Sequence, residues 1–141
     1  DCADFVSQCL AAGGVPQIKS GSTLTHLKAG NWYYNNDKPS NTWGGADNLY
    51  KHWKDRAGIA SSSADLGVGD AVSFDIGNDG SPDHTLIIVS AGSTDSTKYL
   101  ASHTVDRNKH YYANGRYGDF TLSYLYGNGW TVYGYEIDKI F

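Results

Sequence analysis

The sequence has no methionine, two cysteines and three prolines. No apolar run approaches the roughly 18 residues of a membrane-spanning helix, so no segment reads as a membrane span. Positive charge is also short. The formal net charge is −4 at pH 7, which speaks against nucleic acid as the partner, because a phosphate chain is held by a basic surface. Cys2 and Cys9 are seven residues apart on one expected helix, which is about 10 Å of rise. That exceeds disulfide reach, so both thiols are expected to be free and they leave the redox compartment open. With no methionine even at position 1, the chain is expected to be mature or trimmed, any targeting segment having been removed.

What is present is an ordinary globular composition, 40% apolar and 18% charged, rich in rings with 11 Tyr, 4 Trp and 4 Phe. Its 141 residues suit one domain, 1–141, with a real core. Neither an internal repeat nor a linker is visible. Cys2, Phe5, Val6, Cys9 and Leu10 follow the i, i+3, i+4, i+7, i+8 spacing of a helix with one buried face. Asp1 is the expected N-cap, and Gly13-Gly14 with Pro16 end the helix. Residues 17–44 read as a long ordered loop with two aromatic clusters. A second helix is expected over 45–56, with Ala46, Leu49, Trp53 and Ala57 on one face.

From residue 71 the period becomes two. Residues 71–76, 84–89, 99–105, 120–126 and 130–137 read as strands, with GNDGSPD as a strong turn between the first pair. The expected fold class is α+β, N-terminal helices packed on an antiparallel sheet of four to six strands connected as a meander.

A thiol in the first turn of a helix meets unpaired backbone N–H groups and the positive end of the macrodipole, surroundings that favour the nucleophilic thiolate. Cys2 is so placed. Cys9, two turns deeper, reads as a small buried hydrophobe. A bland reading makes both of them core residues. A nucleophile needs a base. His26, His52 and His110 lie in polar stretches or on the outer helix face and read as surface groups. His84 and His103 fall in strands, where two imidazoles on one hairpin face would let one accept the thiol proton and the other orient it. A zinc site from these two with Asp83 or Asp106 lacks recognisable ligand spacing, and the acidic turn at Asp75, Asn78, Asp79 and Asp83 lacks the pattern of a calcium loop.

DCADFVSQCLAAGG resembles the opening of the putative amidase domain family, which is similar to NlpC/P60 and CHAP domains of the papain-like cysteine peptidase superfamily. NTWGGADNLYKHW, LGVGDAVSFD, DHTLIIVS and KYLASHTVD continue the resemblance in order, to about residue 106. It implies a papain-like (NlpC/P60-type) fold, with Cys2 as nucleophile, His84 as general base and His103 as the third, orienting group. Asp106 is the alternative for that third role, with Asp83 weaker. The Cys2 backbone N–H is the implied oxyanion donor. The implied activity is cysteine-dependent hydrolysis of an amide bond through a thioester, most commonly in bacterial peptidoglycan, by amidase or endopeptidase action. No cofactor and no metal are implied. The expected partner is peptidoglycan or a related peptide, and the expected state is a monomer, secreted or directed to the cell wall or periplasm as a lysin, remodelling enzyme or exported effector. Trp32, Tyr33, Tyr34 and Trp43 are candidate walls of a substrate groove. The competing readings are a non-catalytic glycan- or peptide-binding module, and an acyl-transfer or deamidating enzyme on the same scaffold.

Overall fold

The structure is a computed structural model that describes residues 2–35, 38–90, 92–101 and 121–140. His103, Asp106 and His110 lie outside the described residues, as does the expected N-cap Asp1. Helix α1 spans Cys2–Ala12. Its buried face is Ala3, Val6, Ser7 and Leu10, turned by about one residue from the expected stripe. Phe5 and Cys9 lie half-buried at its flank. Ser7 is on the buried side because it has two partners there: it donates to the Trp43 carbonyl (2.9 Å) and accepts from Trp32 Nε1 (3.0 Å). The helix ends as the glycines predict. Gly14 takes a left-handed φ of 102°, and the Val15 N–H returns to the Leu10 carbonyl, which seats Val15 in the core.

The segment after α1 is ordered by a few strong ties. Ile18 and Trp32 exchange backbone hydrogen bonds of 2.8 Å. The buried Asn31 side chain accepts from the Ser20 N–H and donates to the Ser20 and Thr25 carbonyls. A short hairpin follows, β1 (Tyr34–Asn35) with β2 (Lys38–Pro39). Helix α2 (Asn41–Gly44) then leads into α3 (Ala46–Arg56).

His52 corrects the sequence reading, which put it at the surface. It is 3% exposed and lies flat beside Trp32 and edge-on to Trp53. Its Nδ1 donates to the Ala29 carbonyl (2.8 Å) and its Nε2 accepts from Arg56 (3.3 Å). Both ring nitrogens are therefore committed in the neutral form, and a second proton would meet a guanidinium. Burial, and after it the Arg56 charge, lowers the His52 pKa, against the Ala29 bond and Asp55, which raise it. A histidine held below its unfolded value of about 6.5 contributes stability above that pH and loses it as pH falls toward the folded value. Denaturation midpoints measured from pH 7.5 to 5 should fall with acid, and part of that slope should vanish in His52→Gln. An unchanged slope would mean that His52 is not the titrating group.

The main sheet has the order β5-β4-β3-β6, antiparallel throughout, from β3 (Ala71–Asp75), β4 (His84–Ser90), β5 (Tyr99–Ala101) and β6 (Thr131–Tyr135). It is not a simple meander, because β6 returns to the far side of β3. The turn before β3 forms as the Gly-Asp pair suggests: the Asp70 carboxylate accepts from the Gly67 N–H (2.9 Å).

Every residue of β3 is buried, because layers cover both faces of the sheet. On one side Ala71, Ile87 and Tyr135 pack with α1, α3 and the indoles of Trp32, Trp43 and Trp53. On the other, Val72, Phe74, Leu86, Ile88 and Leu100 pack with Leu66, Leu122 and Leu125. Gly134 of β6 admits the Leu66 side chain where any Cβ would collide with it. Leu122 and Leu125 belong to α4 (Leu122–Gly127), which replaces the strand expected over 120–126. Thr121 caps that helix by accepting from the Tyr124 N–H, and the two leucines, three apart, share its buried face. No helix among the described residues is long and apolar enough to cross a membrane.

Candidate active site

Cys2 is the first residue of α1, half-buried and without a disulfide. The first turn is held in place by Asp4, which accepts from Trp43 Nε1 (2.7 Å) and Gln8 Nε2 (2.8 Å). Trp43 lies in α2, which Gly45 joins to α3. Tyr50 of α3 packs its ring at a tilt against Tyr133, and Ile59, three residues beyond the helix, bridges to Tyr135. Tyr133 faces Ser73 and Tyr135 faces Ala71, so α3 descends along the sheet away from Asp75.

His84 is the first residue of β4 and is half-buried. It stands opposite Phe74, and the two rings stack at 5.3 Å and 23°. Phe74 in turn stacks on Trp130 at 4.7 Å. As expected, His84 shares a face with Leu86 and Ile88. That face is the one turned away from α1, whose contact on β4 is Ile87. His84 thus stands on the face of β4 opposite the one that α1 covers. The ladder is irregular here, since the Asp83 N–H also reaches the Phe74 carbonyl (2.9 Å). Such departures re-aim side chains at strand ends. The Asp83 carboxylate accepts from the Ile76 N–H (2.8 Å), which makes it a turn-holding group. The third-position candidates, His103 and Asp106, lie outside the described residues.

Beside α1 is a cleft of about 420 Å³, lined by Gln8, Ala11, Gln17, Tyr34 and Trp43. Of the four rings expected to wall a groove, Tyr34 and Trp43 line this cleft and Tyr33 lines a neighbouring one. Trp32 is fully buried and is a core residue, because its N–H and both of its faces are used inside the domain. Sequence reasoning missed Asp4 and Gln8. Their i, i+4 spacing, which suits a side-chain hydrogen bond on a helix surface, was the available signal. No group of three or more His, Cys, Asp or Glu side chains gathers as a metal site would among the described residues.

Under the sheet lies a buried hydroxyl chain. Tyr135 donates to Ser73 Oγ (2.6 Å), which lies 3.1 Å from Thr85 Oγ1. Burial drives the Tyr135 pKa upward, so this phenol is a structural donor and not an acid for catalysis.

The chain is an α+β domain with a free cysteine opening its first helix, and that helix is seated on the sheet. The family model for the putative amidase domain matches residues 1–126, and the chain belongs to that family. No curated protein and no solved structure matches it.

Proposed function

We propose that the domain is a cysteine-dependent amide hydrolase, related to NlpC/P60 and CHAP domains and acting on peptide or sugar–peptide amides of the bacterial cell wall, outside the cytoplasm. The observation that carries this reading is Cys2: a free, accessible thiol on the first residue of an 11-residue helix in a chain of the putative amidase domain family. Cys2 Sγ, its proton passed to His84, attacks the carbonyl carbon. The Cys2 N–H donates to the oxyanion. His84 returns the proton to the leaving amine, the C–N bond breaks and a thioester remains. Water, deprotonated by His84, then releases the acid and the thiol. His103, or Asp106 in its place, orients the imidazole. To reach the sulfur, the His84 ring leaves its stack on Phe74 and turns about the start of β4 to the α1 side.

The test is digestion of purified peptidoglycan, with the new ends identified by mass spectrometry. New amine and carboxylate ends support hydrolysis, exchanged amides indicate acyl transfer, and binding without new ends indicates a non-catalytic module. Thiol labelling gives a second check. Cys9 is packed against the core, and burial raises its pKa. Iodoacetamide near pH 7 should therefore modify Cys2 at least about tenfold faster than Cys9. Equal rates would remove the special status of Cys2.

A further inference from the structure

The cleft of about 420 Å³ beside α1 stands apart from the thiol. At about 100° per residue, Asp4, Gln8 and Ala11 lie about 120–180° around the helix axis from Cys2, while Phe5 and Cys9 lie on the Cys2 side. The buried face of Ala3, Val6, Ser7 and Leu10 separates the two flanks. Gln8 and Ala11 line the cleft, so it opens on the flank that Cys2 does not occupy.

The polar groups of this cleft are held in one linked chain. Asp4 accepts from Gln8 Nε2 through Oδ2 (2.8 Å) and from Trp43 Nε1 through Oδ1 (2.7 Å). The Trp43 ring meets that of Tyr34 at 5.7 Å, and the Tyr34 N–H donates to Gln17 Oε1 (2.8 Å). Gln17 is fixed on both sides, by Arg56, which donates to the Pro16 carbonyl (2.6 Å), and by the bridge from Ile18 to Trp32. An ionised carboxylate only accepts and a backbone N–H only donates, so these bonds decide which end of each carboxamide is left over. Gln8 keeps its carbonyl oxygen, an acceptor, and Gln17 keeps its NH2, a donor. The two come from separate pieces of backbone, and the ring of Tyr34, 43% exposed, lines the same cleft.

We propose that this cleft binds an N-acetylated sugar. A trans secondary amide carries one N–H and one C=O on opposite sides, and the cleft offers one acceptor and one donor. The acetamido N–H donates to Gln8 Oε1, and the acetamido carbonyl accepts from Gln17 Nε2. The sugar lays its C–H face on the Tyr34 phenol, an amphipathic ring suited to a partner that is apolar on its face and polar at its edge. A peptide amide would meet the same two groups but brings no flat ring for Tyr34. Binding here uses nothing from Cys2 and does not depend on which bond, if any, the thiol cleaves.

The experiment titrates ¹⁵N-labelled Cys2→Ala protein with N-acetylglucosamine and its β-linked dimer, and follows backbone and side-chain amide signals. Saturable shifts at Gln8, Gln17 and Tyr34 are expected. Gln17→Glu, added to this background, keeps an oxygen for the Tyr34 N–H but no donor for the acetamido carbonyl, and should weaken binding about tenfold or more. Tyr34→Phe should keep the affinity, and Tyr34→Ala should lose about fivefold or more. Signals away from the cleft report that each variant is folded. Glucose, which lacks the acetamido group, and N-acetylalanine methylamide, which lacks the sugar, should both bind more weakly. Linear shifts without saturation, either comparator binding as tightly as the acetamido sugar, or an unchanged affinity in Gln17→Glu would each overturn the proposal. With Cys2 present, Gln17→Glu should leave iodoacetamide labelling of Cys2 at its original rate. A changed rate would join the cleft to the thiol and overturn its separate placement.

Discussion

Replacing Cys2 with Ala should lower kcat/KM for amide hydrolysis by at least about a thousandfold and change folding stability by less than about 1 kcal/mol. The two effects separate because of where the residue sits. Cys2 is half-buried at a helix end, while the side chains that anchor α1 are Ala3, Val6 and Leu10. Removing one sulfur at the margin opens no cavity. No second thiol can take over, since Cys9 is two turns further along and its thiolate is disfavoured by burial. Cys9→Ala should show the reverse, a modest loss of stability with activity per folded molecule retained.

Reaching Cys2 requires His84 both to leave its stack on Phe74 and to turn to the other face of β4. Aromatic pairs contribute about 0.5–1.5 kcal/mol beyond their burial, small beside the 8 kcal/mol or more by which enzymes typically lower a barrier. His84→Ala should therefore also lose most of its rate. A His84→Ala protein that keeps its rate would remove His84 as the base while leaving Cys2 in place. A Cys2→Ala protein that still cleaves would end the thiol mechanism altogether.

Helical and strand periods were readable wherever one face of an element meets the core. α1 ends at its glycines, α3 begins and ends close to where its apolar spacing says, and β3, β4 and β6 lie in the expected stretches. Most of the misses are polar groups that the fold buries against partners the apolar spacing does not show. Ser7 and His52 look like surface residues until Trp32, Trp43, Ala29 and Arg56 supply their hydrogen bonds, and of these only Arg56, one turn from His52 on α3, is near in the chain. Asp75 is fully buried, with the Gly80 N–H of the following turn donating to its Oδ2 (2.8 Å). In α4, alternating apolar and polar residues imitate a strand, and only the burial of Leu122 and Leu125 together reveals the helical period. Of the site, the thiol and its helix were legible in the sequence. The face on which His84 stands depends on which side of the sheet α1 covers, a long-range choice that alternation alone does not encode.

Trp32→Ala should be the most destabilising single change among the indoles, costing about 3–5 kcal/mol and lowering the denaturant midpoint accordingly. Trp32 has no exposed surface and touches nearly every part of its layer. Its ring lies 4.8 Å from Trp43 and 5.2 Å from Trp53, with the Arg56 guanidinium 5.7 Å above it. Its N–H donates to Ser7 Oγ, which itself donates to the Trp43 carbonyl, so one side chain joins α1, α2 and α3. Trp32→Phe separates the two contributions. It keeps a ring in place but removes the N–H, and Ser7 loses one partner while retaining the other, so the cost should be nearer 1–2 kcal/mol. For a domain whose total stability is about 5–15 kcal/mol, the alanine variant should sit close to its unfolding limit at 37 °C, and Ser7→Ala in a Trp32→Phe background should add little. Chemical denaturation of the four proteins closes a double-mutant cycle. A Trp32→Ala loss below about 1 kcal/mol would show that the helices are held to the sheet mainly by their own aliphatic contacts with Ala71 and Ile87, and that the indole cluster only fills space between them.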